Sequence, residues 1–97
     1  MPQLGTPGSS QVLTADGVVG TSGAPTYVFA VTLRGGSALT RADLHNGTAA
    51  SDLRASGTAP ITDTATIDCG PNGIVFEDGC YLDITTTAGS VTVVYSQ

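Results

Sequence analysis

The sequence predicts an all-β chain: a single antiparallel β-sandwich, jelly-roll, Ig-like or barrel-like in form, with a flexible N-terminal arm. Three observations carry that expectation. The composition is 40% hydrophobic, 11% charged and heavy in threonine, and β-branched residues suit the pleated, half-buried surface of a strand. Apolar runs are punctuated by Gly, Asn and Asp at intervals of roughly ten residues, the spacing of short strands in sandwiches and barrels. No long stretch has helical periodicity.

A chain of 97 residues is one domain at most, and at that size folding buries only part of the surface, leaving a thin core. Residues 1–10, rich in Gly, Pro, Ser and Thr and without periodicity, read as the arm. Residues 11–97 make the domain. Glycine-rich "GVVGTSGAP" at 17–25 lacks the lysine and following helix that would let its amides cradle phosphate, so it is expected to be a loop.

The strongest strand signal is "TYVFAVTLR" at 26–34, whose alternation places Tyr27, Phe29, Val31 and Leu33 on one face. Gly35-Gly36 then turns the chain. "ALTRADLH" at 38–45 sets Ala42 and Leu44 against Arg41, Asp43 and His45, and the two segments are expected to pair as a hairpin. Asn46-Gly47 is a tight-turn signal. The weakly apolar stretch after it is expected to be an edge strand or a loop. In "ITDTATIDC" at 61–69, Ile61, Ala65, Ile67 and Cys69 share a face. "GIVF" at 73–76, the turn Glu77-Asp78-Gly79 and "CYLDITT" from Cys80 imply a second hairpin, with Cys80, Leu82 and Ile84 inward. "SVTVVYS" at 90–96 closes the domain with Val91, Val93 and Tyr95 on one side.

Charge and targeting signals exclude whole classes of partner. The net charge is -5, there is no lysine, and the three fixed cations, Arg34, Arg41 and Arg54, are scattered. Nothing here neutralises a run of phosphates or grips an anionic membrane, so neither nucleic acid nor lipid is expected. The N-terminal residues have no basic region and no apolar run, which implies neither a secretory signal nor a membrane span, and synthesis in a cytosol. Few charges defend so apolar a surface against association, a first hint of assembly.

No constellation for chemistry emerges, so no enzymatic activity, cofactor or metal is expected. His45, the sole histidine, is expected to be an exposed residue beside a turn, since acid–base work needs partners that the sequence does not place near it. One His and two Cys match no zinc pattern, and no G-x-S-x-G occurs for a serine nucleophile. Glu77 and Asp78 point to opposite sides of an extended chain and do not converge as glycoside hydrolysis requires. An acidic turn is expected there, with a weak calcium contact through Asp83 or Asp68 as the alternative. "NGT" at 46–48 fits a glycosylation acceptor only in a secreted chain, and "RAD" at 41–43 is treated with the same reserve as an adhesion motif.

Cys69 and Cys80 both fall on inward faces by parity. A chain assembled in a reducing cytosol keeps such thiols free, while later oxidation would close a Cys69 to Cys80 disulfide worth about 2 to 3 kcal/mol on the chain-entropy model. Both states remain open.

Taken together, "VTLRGGSALTRADLHNG" at 31–47 and "GPNGIVFEDGCYLDITTTAGSVTVVY" at 70–95 resemble small all-β proteins encoded among the virion genes of tailed bacteriophages. The shared pattern is an L-x-N/D-G hairpin, then G-P-x-G-I-x-F-x-x-G-x-Y leading into a V-T-V-x-Y terminal strand. It covers residues 26–96 and omits the arm; Cys80 stands where an aliphatic residue is usual. The resemblance implies a structural protein on the phage capsid surface, made in the host cytoplasm. The expected role is decoration (cement) of the outer capsid shell, with the major capsid protein and further copies of itself, as a trimer, for partners. The alternatives are a head-fibre, tail or receptor-binding module, or a cellular β-sandwich interaction or adhesion module.

Overall fold

The computed structural model describes residues 9–97. Nine strands form two antiparallel sheets, with no helix among the described residues. They are β1 (Ser9–Leu13), β2 (Gly17–Val19), β3 (Thr26–Arg34), β4 (Thr40–Asn46), β5 (Asp52–Ala59), β6 (Thr64–Ile67), β7 (Ile74–Phe76), β8 (Cys80–Thr85) and β9 (Ser90–Ser96). The first sheet runs β1-β9-β3-β6, with β7 also paired to β3; the second runs β2-β8-β4-β5.

The inner faces of both sheets contribute to one core. Val28, Val31, Leu33, Phe76, Val91 and Val93 from the first sheet and Val19, Ala42, Leu44, Cys80 and Leu82 from the second are buried in a single cluster. The smallest dimension of the molecule, 17 Å, accommodates two layers about 10 Å apart with their outer side chains. The arrangement is compatible with a β-sandwich.

Neither expected hairpin forms. β3 and β4 lie in different sheets, as do β7 and β8, so Gly35-Gly36 and Glu77-Asp78-Gly79 carry the chain from one layer to the other instead of folding it back. Backbone crowding explains the first crossing: a Cβ on Gly35 would strike the Pro60 carbonyl, and one on Gly36 the Thr87 carbonyl. Gly35 N donates to Asp63 O at 2.8 Å and Ser37 N to Thr87 O at 3.0 Å, which satisfies the passing backbone. At the second, Gly47 N donates to Gly79 O at 2.9 Å, and Gly79 holds φ 101° while packing on Gly23.

The inward set on β3 also differs from simple alternation. Against β9 the register runs Val28↔Tyr95 and then Ala30↔Val94, leaving Phe29 as an extra residue in a bulge. A bulge inverts the parity of everything before it. Thr26 and Val28 are therefore buried alongside Val31 and Leu33, while Tyr27 and Phe29 are only half-buried.

Three boundaries shift. Pro60 to Asp63 form a turn in which Thr62 adopts φ 57°, so β6 begins at Thr64 and Ile61 is 58% exposed, not on the inner face. β2 occupies the first three residues of the expected 17–25 loop. The expected arm, residues 1–10, lies outside the described residues except for Ser9 and Ser10, which pair with Tyr95 and Val94 in β1. The weak stretch after Asn46-Gly47 becomes β5, an edge strand of the second sheet and the partner of β4. The inward residues of β8 and β9 fall where alternation places them.

Candidate functional site

The acidic turn that separates β7 from β8 divides into two structural contacts. Glu77 meets the Arg54 guanidinium at 3.1 Å, and Arg54 also holds Asp52 at 3.0 Å and donates to the Val75 carbonyl at 3.2 Å. That guanidinium, through its hydrogen bonds, holds both carboxyls below their ordinary pKa. Asp78 instead pairs with Asn46: Asn46 Nδ2 donates to Asp78 Oδ2 at 3.1 Å, and Asp78 N donates to Asn46 Oδ1 at 2.9 Å. Asn46 is buried, so the amide of the "NGT" stretch is already occupied. Asp68 closes its own turn by accepting from Gly70 N at 2.9 Å.

The thiols sit in the core. Cys69 and Cys80 are both buried and free, and burial, with the neighbouring Cys69 second, pushes the Cys80 thiol up to about 12. Burial raises Cys69 as well, with Asp68 adding to the effect. Such thiols are poor nucleophiles and poor attackers of disulfides near neutral pH.

His45 departs from expectation. It is only 8% exposed, and both ring nitrogens are buried without a hydrogen-bond partner among the described residues. Its cross-strand neighbours are Tyr81 on β8 and Leu53 on β5, and the tilted Tyr81 ring lies 6.4 Å away, centroid to centroid. Two residues along the same face stand Asp43 and, directly across, Asp83. One ligand atom from each of Asp43, His45 and Asp83 lies within 4.8 Å of the other two. Arg41 reaches Asp43 Oδ1 at 3.3 Å, so the "RAD" stretch is a paired strand segment. Sequence reasoning missed the cluster because β4 and β8 come together only in the folded sheet. Its legible part was Asp43-x-His45, a spacing that puts both side chains on one strand face.

The outer face of the first sheet is different in kind. Cross-strand register aligns Val12, Thr92, Thr32 and Thr66 in one row and Ser10, Val94 and Ala30 in the next. At the far end Tyr27 lies between Val75 and Ser96. Among the paired positions of that face, Arg34 is the single charge.

Comparison with protein-family models, curated proteins and solved structures yields no match.

Proposed function

We propose that the chain is a non-enzymatic structural protein of a phage particle, a decoration (cement) protein that binds the outer surface of the capsid and stabilises it. The observation that carries this reading is the outer face of the first sheet, where Arg34 is the single charge at a paired position. Depletion of charge, more than hydrophobicity as such, distinguishes the buried centre of an interface from ordinary protein surface. A five-stranded face of Thr, Val, Ala, Ser and Tyr with one Arg suits a broad, rigid contact rather than capture of a small ligand. Val12 and Val75 stand exposed on it and would be buried on docking.

The phage context rests on the resemblance of residues 26–96. The two pieces of that resemblance meet physically, since Asn46-Gly47 of the first bonds to Asp78 and Gly79 of the second. On this reading the two sheets form a sandwich of jelly-roll or Ig-like kind. Copies assemble as trimers on the major capsid protein, and the thin core gains stability from what its neighbours cover.

The test is attachment. Purified chain is added to capsid shells lacking it, and bound copies are counted by quantitative mass spectrometry and image reconstruction. Copies comparable in number to the major capsid protein, with shells more resistant to heat, are the expected result. A few copies at one vertex, or none on the shell with binding to tail or cell-surface glycans, would overturn the assignment.

A further inference from the structure

We propose that Asp43, His45 and Asp83 form a binding site for a divalent transition-metal cation, Zn2+ in the first instance, on the outer face of the second sheet. This site lies on a different face from the docking surface and does not depend on that function.

Three independent observations converge on it. The first is geometric: a ring nitrogen of His45 and one carboxylate oxygen from each aspartate already lie within 4.8 Å of one another. Ligands about 2.0 to 2.2 Å from a tetrahedral ion are about 3.4 Å apart. Rotation of the two short, partly exposed aspartate side chains closes the remaining gap while the imidazole stays in place. The ligands belong to adjacent, hydrogen-bonded strands, so their backbone positions are fixed before any ion arrives.

The second is the state of the histidine. A neutral imidazole has one donor and one acceptor, and a buried polar atom without a partner is destabilising. Both nitrogens of His45 are in that condition among the described residues, and the residue's cross-strand neighbours, Tyr81 and Leu53, offer them no partner. A cation held against one nitrogen satisfies it directly.

The third is charge. Asp43 and Asp83 face each other across β4 and β8, and like charges directly opposed in a sheet repel. Arg41 offsets one of them through a single oxygen of Asp43 and is itself well exposed. Asp83 has no ion-pair partner among the described residues. A divalent ion between the carboxylates turns the repulsion into attraction.

The donor set selects the ion. One imidazole with two carboxylates suits Zn2+ and its first-row neighbours, whereas Ca2+ takes six to eight oxygen ligands. Three protein ligands leave a position for water, as in open zinc sites.

The experiment titrates Zn2+ into the full chain and follows the imidazole nitrogen signals by NMR; with one histidine in the sequence, those signals are unambiguous. Saturable one-to-one binding that moves the His45 signals is expected, with a rise in thermal midpoint. Asp83→Asn, which relieves the like-charge pair and so is compatible with folding, should weaken Zn2+ binding at least about tenfold and abolish the rise. Asp43→Asn serves as the second variant. The proposal is overturned if the imidazole signals stay fixed under excess Zn2+, which would direct any binding to the thiols. It is equally overturned if both variants bind as tightly as the parent chain, or if Ca2+ binds as tightly as Zn2+.

Discussion

The two outer faces are built on the same two-residue alternation and carry opposite chemistry. On the first sheet, rows of Thr, Val, Ala and Ser cross four strands with Arg34 as the only charge at a paired position. On the second, Arg41, Asp43, His45 and Asp83 gather on two adjacent strands. The chain has three basic and eight acidic residues in all, so the placement of even a few determines which surface stays in water. Charged side chains resist desolvation far more than threonine hydroxyls do, so on the proposed reading the first face is the one covered and the second the one left in water.

The sharpest way to break that contrast is to put a charge on each face in turn. Thr32 lies at the centre of the uncharged rows and is exposed. If the proposed decoration role holds, Thr32→Glu should weaken attachment to capsid shells by about 3 kcal/mol or more, at least a hundredfold, because a carboxylate would have to be desolvated at the contact. Thr58→Glu, opposite Arg41 on the other face, should leave attachment unchanged. Equal loss in both variants, measured by co-sedimentation, would remove the distinction between the faces.

The layer between them makes the next largest prediction. Cys80 ionises only near 12 in the folded chain, whereas an unfolded thiol ionises near 8.5. Above that lower value the unfolded state binds fewer protons than the folded one, so stability falls as pH rises. The slope approaches about 1.4 kcal/mol per pH unit for one group and fades below about pH 7. Urea midpoints from pH 7 to 11 measure it, and Cys80→Val should reduce the slope, leaving the part that Cys69 contributes. If native protein reacts with a thiol reagent at pH 8 as quickly as unfolded protein does, the thiols are not held as described.

At one end of the charged sheet, where β4 finishes, polar groups serve the fold itself. Asn46→Ala removes both bonds to Asp78 and leaves a backbone amide short of an acceptor, at a cost of about 2 kcal/mol. Denaturant unfolding should show that loss, while attachment by the protein that remains folded should not change. A variant that attaches poorly at temperatures where it is fully folded would extend the docking surface to this end of the molecule.

Much of this architecture could be read from the chain and some could not, for reasons visible in single residues. Alternation placed Leu82, Ile84, Val91 and Val93 inward because β8 and β9 are regular along those stretches. It misplaced Tyr27 because one extra residue, Phe29, is absorbed by a bulge whose position depends on β9. Strand pairing was less accessible: Gly35-Gly36 has the flexibility of a hairpin turn, and only contact with the Pro60 and Thr87 loops makes it a crossing between layers. His45 was expected in solvent because its covering neighbours, Tyr81 and Leu53, sit on other strands. Two of the three proposed metal ligands, in Asp43-x-His45, were legible locally, and Asp83 required the sheet register.

The smallest effect is expected at the side of the molecule, where Arg54 on β5 reaches the Val75 carbonyl on β7 and Glu77 beyond it, joining the two sheets. All the charges there face solvent, so hydration and salt screening keep the contribution modest. Its pH dependence has a definite sign. The guanidinium lowers the pKa of Glu77 and Asp52 in the folded chain, so their stabilising contribution is present above the ordinary carboxylate pKa and is lost as pH falls through the folded values. Arg54→Gln should lower the urea midpoint slightly at pH 7, and the difference from the parent chain should close as both carboxylates become protonated. High salt at pH 7 should narrow the same difference. If the gap instead persists in acid and in salt, Arg54 acts through its neutral contact with the Val75 carbonyl and the packing of its stem, and charge contributes nothing to the junction between the faces.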